Sequence, residues 1–349
     1  MKTILIVRRI TVLILFVLLS FSTESTAQND GFLTISNSRS RAIAMGGAFT
    51  AVEDDLCAVS FNPGTFSLID DNPDMRLMVH FNPVMPAVSL NQRDKFRYVE
   101  EGGMKAALGS IHYMVKSIMF SAKIVNIGIL FNEEGFNKSR TSKIFDGTGF
   151  RNNLYHTAVL SINLSSQIRL GVTGSIIRSV ENDIVQEGKG LSYGVLVKPN
   201  SRYQVGISYF DFSNELPNFR RPFDRIADES LNAGLAFFPW EDVIISVDVR
   251  NLTESSEREN FALQEFHFGF ESNRLSHFSF RGGYYREKFA DKQYSNIFSA
   301  GIGLLDLNRF NSIQKQYNHN TPLINYTILF ENTPLVNSKL HLLTIGFRL

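Results

Sequence analysis

Apolar and polar residues alternate along much of the chain, in segments of about ten residues. In residues 203–209 the odd positions are apolar and the even positions are polar or glycine. The same period of two recurs in four further segments, residues 242–250, 265–270, 277–284 and 324–330, with Ile244 as one exception. Because successive side chains of a strand point to opposite faces, each segment predicts a β-strand with one apolar and one polar surface.

This pattern predicts thirteen strands, each close to ten residues long. They lie at residues 75–82, 121–133, 154–164, 167–179, 189–198, 202–212, 230–238, 242–251, 262–271, 276–286, 295–304, 322–331 and 339–349. A single-chain bacterial outer-membrane barrel normally has an even number of strands. We therefore expect one more strand within residues 83–120, and an all-β, transmembrane antiparallel β-barrel of about fourteen strands over residues 75–349.

The lengths of the strands and connections favour this barrel over a soluble β-sandwich. Strands of about ten residues are long for a sandwich and match the length that crosses a bilayer at a tilt. Short connections at 165–166, 199–201, 239–241 and 272–275 alternate with longer ones at 134–153, 180–188, 213–229, 252–261 and 287–294. This alternation is typical of short periplasmic turns and longer outer loops. The connection 305–321 does not fit, because it is long and polar on the periplasmic side.

The N-terminus has the features of a cleavable export signal. Lys2, Arg8 and Arg9 precede an apolar stretch over residues 10–21, and Ser25-Thr26-Ala27 fits a small-residue cleavage site. The alternative is an uncleaved transmembrane anchor, for which the apolar stretch is short. We expect residues 1–27 to be a signal peptide removed near Ala27, and the mature protein to lie in the bacterial outer membrane.

The last predicted strand carries a second signal. Apolar residues alternate from His341 to the C-terminal Leu349, and the strand resembles the C-terminal signal that outer-membrane barrels present to the barrel-assembly machinery. Phe347 and Leu349 stand at its apolar positions. The resemblance is partial, because Thr344 occupies the usual glycine position and the final residue is not aromatic. It implies outer-membrane lipid and the assembly machinery as partners.

Composition and charge exclude several classes of protein. The first 27 residues hold three basic residues and one acidic residue, and their removal from 35 Lys+Arg and 34 Asp+Glu leaves a net charge near −1. Nothing in this balance suggests a nucleic-acid partner. Cys57 is the only cysteine, so an intramolecular disulfide is excluded and a small buried residue is expected. We expect no cofactor.

Residues 28–74 precede the first strand and lack the ten-residue pattern. Gly46-Gly47 allows unusual backbone angles or a close approach to another segment. Asn62-Pro63 predicts a helix start, with Asn as N-cap and Pro at the first helical position. Asp54 and Asp55 follow the small residues between these two motifs. We predict that residues 28–74 form an N-terminal hatch that packs inside the barrel.

Residues 38–68 resemble the N-terminus of the FadL-like superfamily of outer-membrane proteins, closest to its PorV/PorQ-like branch. The match rests on the Met-Gly-Gly-Ala-Phe of residues 45–49, the Ala-Val-x-Asp-Asp of residues 51–55, and Asn62-Pro63. The chain departs from the family at residues 64–66, where Gly-Thr-Phe replaces the usual Ala-Gly-Leu. The resemblance implies a fourteen-stranded barrel with an N-terminal hatch.

The same resemblance leaves two functions open. FadL-type members carry hydrophobic molecules, typically long-chain fatty acids, across the outer membrane through the barrel and a lateral opening. PorV-type members act with the type IX secretion machinery and receive exported proteins. The resemblance therefore implies either a hydrophobic solute or secretion components as partners, and it favours the PorV/PorQ-like branch for ancestry only.

A set of residues on the polar strand faces mixes both signs of charge. It comprises Arg169, Asp248, Arg250, Glu265, His267, Arg281 and Arg348. One interpretation is a polar pathway or a cluster that binds the carboxylate of an acidic lipid. The other is a salt-bridged barrel interior that fixes the hatch. Inward charges commonly serve the second purpose in barrels, which favours that interpretation.

An outer-membrane lipid hydrolase is the enzymatic alternative. The seven histidines are His80, His112, His156, His267, His277, His319 and His341, and they are scattered along the chain. Ser279 follows His277 on the same strand face, but this pair needs an orienting third group that the sequence does not identify. No metal-ligand spacing occurs either. We therefore expect neither an enzyme nor a metal site.

Overall fold

A computed structural model of the protein describes most of the chain. The described residues are 31–34, 39–68, 75–96, 98–134, 153–181, 184–212, 229–253, 264–275, 278–288, 294–304, 321–332 and 337–349. The predicted signal peptide lies outside them, as do most of the connection 305–321, several outer loops, His277 and His319.

Fifteen strands form one sheet. A short strand comes first, β1 (Gly31–Thr34). The others are β2 (Arg76–Phe81), β3 (Val115–Ala122), β4 (Val125–Glu134), β5 (Asn153–Asn163), β6 (Ile168–Glu181), β7 (Ile184–Asn200), β8 (Tyr203–Phe212), β9 (Glu229–Trp240), β10 (Val243–Arg250), β11 (Gln264–Leu275), β12 (Phe278–Lys288), β13 (Tyr294–Leu304), β14 (Thr321–Asn332) and β15 (Asn337–Arg348).

The sheet closes into a barrel of fourteen antiparallel strands. Each strand from β2 to β15 pairs with the next, and β15 returns to β2. β1 lies outside this series and pairs in parallel with residues 339–342 of β15. The fourteenth strand expected within residues 83–120 is β3, which continues to Ala122. The predicted fold class is therefore confirmed.

Several predicted strand ends are wrong by one to five residues. The strand predicted at 121–133 is two strands, because the chain turns at Lys123, whose φ is +39°. The turns predicted at 199–201, 239–241 and 272–275 lie largely within β7, β9 and β11. Register shifts before Asn200 and Leu275 explain two of these, because the irregularity breaks the alternation while pairing continues. The loop predicted at 180–188 is likewise mostly strand.

The two faces of the wall have opposite polarity. Phe266, Phe268 and Phe270 are 38 to 45 % exposed on the outer face, whereas the intervening Glu265 and His267 are buried on the inner face. Exposed apolar surface continued over the other strands is the lipid-facing band of an outer-membrane barrel. Ile244, the exception to the alternation, faces inward and belongs to a buried apolar cluster with Phe49 and Phe61.

The interior segment, residues 39–68, fills the barrel. It contains helices α1 (Ser40–Ala44) and α2 (Ala58–Phe61) and a 3₁₀ helix over Pro63–Thr65. Almost all of its residues are buried. Three apolar clusters tie it to the wall, around Phe49, Phe66 and Ile43.

A helical hairpin, residues 82–114, connects β2 to β3. It consists of α3 (Met85–Asn91), a 3₁₀ turn over Arg93–Lys95, and α4 (Gly103–Met114). β2 and β3 have only six and eight residues, fewer than most other strands of the wall. Among the described residues, no helix combines the length and apolar character needed to cross a membrane.

Candidate functional site

The Gly46-Gly47 turn touches the inner wall directly. Both residues have positive φ, +61° and +73°, which favours glycine. The Gly46 carbonyl accepts a hydrogen bond from His267 Nδ1 at 2.6 Å, and the Gly47 carbonyl accepts one from Arg250 at 2.5 Å. A Cβ at Gly46 would lie 2.7 Å from the backbone nitrogen of Tyr284. The turn therefore needs glycine both for its angles and for its close contact with β12.

A buried ion-pair network joins α1 to β11 and β12. The Glu271 carboxylate accepts hydrogen bonds from Arg41, at 2.7 and 3.0 Å, and from Arg281 Nε at 3.0 Å. Arg41 also reaches Asp54 at 2.5 Å. All four side chains are almost fully buried. Charges removed from water in this way need close partners, and here the interior segment and the wall supply them to each other.

Asp55 of the interior segment contacts both the first and the last strand of the barrel. Its Oδ2 lies 2.9 Å from an Arg348 nitrogen on β15 and 3.3 Å from His80 Nε2 on β2. Arg348 Nε is also 3.1 Å from the same ring nitrogen of His80. These two wall residues form one of the two residue pairs that join β15 to β2. A single carboxylate therefore bridges the closing seam of the barrel.

Glu53 forms a third set of ion pairs between the interior segment and the wall, beside the short turns that join β5 to β6 and β7 to β8. It binds Arg169 at 2.7 Å, Lys198 at 2.9 Å and Gln204 at 3.0 Å, which lie on β6, β7 and β8. Burial alone would raise the pKa of the Glu53 carboxyl. The positive charges of Arg169 and Lys198 outweigh burial and hold this pKa below its ordinary value of 4.5.

The depressed pKa of Glu53 predicts a specific acid dependence of stability. Because this pKa is lower in the folded than in the unfolded state, the ion pairs stabilise the fold above about pH 4.5 and cease to do so as the pH falls further. We expect wild type to unfold at a higher temperature than Glu53→Gln, with a gap that is constant at neutral pH and narrows in acid. Melting in detergent at a series of pH values measures this gap. A gap that is equal at every pH would contradict the prediction.

Asp248 and Asn62 hold the backbone of the interior segment. Asp248 Oδ2 accepts hydrogen bonds from the amides of Phe49 and Thr50, both at 2.8 Å. Asn62 Oδ1 accepts the Gly64 amide at 2.8 Å, while its amide nitrogen donates to the Thr50 carbonyl at 2.7 Å. The helix start expected at Asn62-Pro63 is thus present as a single 3₁₀ turn.

Glycines of the wall admit this backbone at close range. A Cβ at Gly171 of β6 would lie 2.1 Å from the Pro63 carbonyl oxygen, and one at Gly194 of β7 would lie 1.9 Å from Asn62 Oδ1. The two glycines are register partners on neighbouring strands. Together they form a recess in the inner wall that receives the 3₁₀ turn.

A solved channel shares this architecture. CymD, a monoaromatic hydrocarbon channel, matches with a TM-score of 0.50 and 10% identity, over 90% of this chain and 96% of that chain. The chain has the fold of this channel. A Pseudomonas aeruginosa FadL homologue matches at a TM-score of 0.46 and 9% identity, over 91% and 96% of the two chains. The Ralstonia pickettii toluene transporter TbuX matches at 0.43 and 11%, over 91% and 98%. No protein-family model and no curated protein matches the chain.

The seven charged or titratable residues named from the sequence lie around the interior segment of the barrel. Arg169, Asp248, Arg250, His267 and Arg348 bind it directly. Arg281 reaches it through Glu271, and Glu265 accepts a hydrogen bond from His267 at 2.9 Å. The arrangement matches a salt-bridged interior that holds the segment. Sequence reasoning missed Glu271, Lys198 and the wall glycines, although Glu271 continues the polar face of residues 265–269.

Ser279, the serine named from the sequence, is buried on the inner face of β12, whereas His277 lies outside the described residues. Within the described ranges, no group of three or more His, Cys, Asp or Glu residues could hold a metal ion. A small cavity beside the Gly46-Gly47 turn is lined by Phe61, Arg250 and Tyr285 among others and has room for about one water molecule.

Proposed function

We propose that this FadL-like barrel passes hydrophobic small molecules across the outer membrane, with the interior segment as its hatch. One observation carries the proposal. One sector of the wall is closed by apolar side-chain packing instead of by a continuous ladder of strand hydrogen bonds. Apolar side chains packed in this way can separate to admit a hydrophobic molecule and still exclude hydrated ones.

The hatch makes a straight path through the lumen unfavourable. Its carboxylates and backbone are bound by side chains from β6, β7, β8, β10, β11 and β15. Moving the hatch aside would break several buried ion pairs at once, and each broken pair costs about 3–5 kcal/mol. A route that leaves the hatch in place therefore has the lower cost.

The seam between β15 and β2 offers such a route. One edge of β15 pairs with β14 over twelve residues. The other edge pairs with β2 over only two, Phe347 with Phe81 and Arg348 with His80, and with β1 over residues 339–342, which leaves residues 343–346 without a strand partner on that edge among the described residues. Farther up β15, Leu343 packs against the apolar core of the helical hairpin, which includes Met85, Phe96, Val99, Ala106 and Tyr113. Apolar contacts have no fixed direction, so they re-form around an apolar guest more readily than a strand ladder does.

The comparisons support the same class of solute. CymD is by name a channel for monoaromatic hydrocarbons, and the resemblance of residues 38–68 to FadL-type hatches points to hydrophobic solutes as well. We therefore propose hydrophobic small molecules as the cargo, with long-chain fatty acids and monoaromatic hydrocarbons as the two groups to test first.

A disulfide across the seam is expected to stop this transport. Leu343→Cys would be combined with Val88→Cys or Val84→Cys, since all three side chains pack on the hairpin core. In cells without a fatty-acid channel of their own, uptake of labelled oleic acid and toluene should fall to background after oxidation and return after reduction. The native Cys57 is buried and does not interfere.

A second disulfide serves as the matched control. Phe298 and Phe330 are register partners on β13 and β14, where the strand ladder is continuous. A cysteine pair there should oxidise without loss of uptake. Equal uptake by the oxidised seam variant and this control would overturn the proposed route. Unchanged uptake in a deletion strain, with exported proteins retained in the periplasm, would instead favour the secretion function of the PorV-type relatives.

Export and assembly complete the proposal. We propose cleavage near Ala27 and recognition of Phe347 and Leu349 by the barrel-assembly machinery. The geometry of the last strand supports this role. The rings of Phe347 and Phe81 lie 5.5 Å apart, and Leu349 exchanges backbone hydrogen bonds with Val79. The proposed signal residues thus lie at the seam where the barrel closes.

A further inference from the structure

We infer that the helical hairpin, residues 82–114, is a lipid-facing part of the barrel wall, and that the outer face of α4 binds the acyl chains of the bilayer. This inference does not depend on what the protein transports. It concerns a sector in which helices replace the upper halves of two strands.

The hairpin lies at the depth of the membrane. Val115, directly after α4, pairs with Phe81, and Phe81 pairs with Phe347 near the periplasmic end of β15. Leu343, which packs on the hairpin core, is the register partner of Tyr326, the sixth of the twelve residues of β14. The hairpin therefore starts near the bottom of the wall and contacts β15 at mid-height.

The length of β15 above Phe347 gives the height of the wall in this sector. Phe347 lies ten positions after Asn337, the first residue of β15, and these ten residue steps span the sector. They extend about 33 Å along the strand, or roughly 25 Å along the barrel axis at a typical tilt. That height equals the usual apolar band of an outer-membrane barrel. Without the hairpin, β15 would expose this stretch of its edge beyond the four residues that β1 covers.

The two faces of α4 differ in the way expected for a helix between lipid and protein. Met104, Leu108 and Ile111 lie on one face and are 76, 62 and 49 % exposed. Ala106 and Tyr113 lie on the other face and are buried in the hairpin core. Directly below α4, Ile118 of β3 is exposed on the outer wall. The apolar face of α4 thus continues the lipid-facing surface of the strands.

Charged residues are unevenly distributed along the hairpin sequence. Residues 82–90 and 106–114, which adjoin the strands, contain no Asp, Glu, Lys or Arg, whereas residues 91–105 between them contain seven. Glu101 and Lys105 pair at the exposed start of α4. His112 lies in the lower part and packs its ring edge-on against Tyr98.

Backbone chemistry explains why helices can replace strands in this sector. Every backbone amide and carbonyl exposed to hydrocarbon must be hydrogen-bonded within the protein. A closed strand ladder meets this condition, and so does a helix, whereas an irregular loop does not. α3 and α4 therefore allow β2 and β3 to end early without exposing polar backbone to lipid.

The test uses the unmodified protein in vesicles of phosphatidylethanolamine and phosphatidylglycerol. A small fraction of the lipid would carry a photoactivatable diazirine in the acyl chain, and mass spectrometry would map the adducts. We expect adducts on residues 104–111 at a yield comparable to that on residues 266–270 of β11, and none on residues 42–45, which are buried inside the barrel. Adducts on β11 with none on α4 would overturn the inference.

Spin labels provide an independent measurement. Labels on Leu108→Cys and Ile111→Cys should be accessible to oxygen and inaccessible to a water-soluble nickel complex. A label on Phe268→Cys, the lipid-facing reference, should behave in the same way. A label on Glu101→Cys should be accessible to the nickel complex and less accessible to oxygen. The parent protein, treated with the same spin label, shows whether Cys57 reacts. A gel mobility that changes on boiling confirms that each variant is folded. Nickel accessibility at Leu108 and Ile111 equal to that at Glu101 would also overturn the inference.

Discussion

Glu271→Ala is expected to turn a closed barrel into one that conducts ions. Glu271 is the carboxylate that Arg41 of the hatch and Arg281 of the wall share. Its loss leaves two buried guanidinium groups facing each other across the gap, and removal of one partner from a buried pair costs about 3–5 kcal/mol. We expect the hatch to leave its position for a substantial fraction of the time, because Arg41 of the hatch and Arg281 of the wall would then repel each other.

Conductance in planar bilayers measures this effect. Wild type should stay near the baseline of the bare membrane, and Glu271→Ala should show frequent openings. Asp242→Ala is the matched control, because Asp242 pairs with Arg274 at an exposed position, where an ion pair contributes about 0–1 kcal/mol. Silent Glu271→Ala channels with wild-type stability would show that the network does not hold the hatch.

Asp55→Asn is expected to weaken the closing seam of the barrel. The change keeps the shape of the side chain but removes the charge that Arg348 and His80 contact together. Because the seam has only two residue pairs, the loss acts where the wall is weakest. The expected cost is about 3–5 kcal/mol, the range for a broken buried pair. The temperature at which the protein loses its folded gel mobility in detergent should fall accordingly.

A double-mutant cycle separates the ion pair from a general packing defect. Arg348→Gln should destabilise the barrel on its own, and the combination with Asp55→Asn should cost less than the sum of the two single changes, because no lone charge stays buried. Strictly additive costs would mean that Asp55 and Arg348 do not act on each other.

The strands were largely predictable because lipid on one side and a polar interior on the other force the period of two. The alternation located thirteen strands, and the even number of strands expected for a barrel indicated a fourteenth. The helical hairpin could not be predicted in this way, because parity required one more strand within residues 83–120 and did not indicate that most of this stretch is helical. Strand ends at Asn200 and Leu275 were misplaced because register shifts interrupt the pattern without ending the pairing.

The polar character of the barrel interior was predictable from the sequence, but the pairing of its residues was not. The sequence marks charged residues such as Arg169 and Asp248 as inward-facing, since they alternate with apolar ones. It does not show that Arg169 meets Glu53, a residue 116 positions away. The recess at Gly171 and Gly194 was also hidden, because a strand glycine has no side chain whose polarity could mark its face. Their role depends on a backbone contact that only the folded chain reveals.

The bridge made by Asp55 has a consequence for the order of assembly. Asp55 precedes β2 in the chain, yet it holds β2 to β15, the last strand to be made. The final contacts of the cylinder therefore include atoms of a segment that the wall encloses. The contacts that close the wall are complete only when this segment is in place, so we expect its placement to precede or accompany closure of the seam.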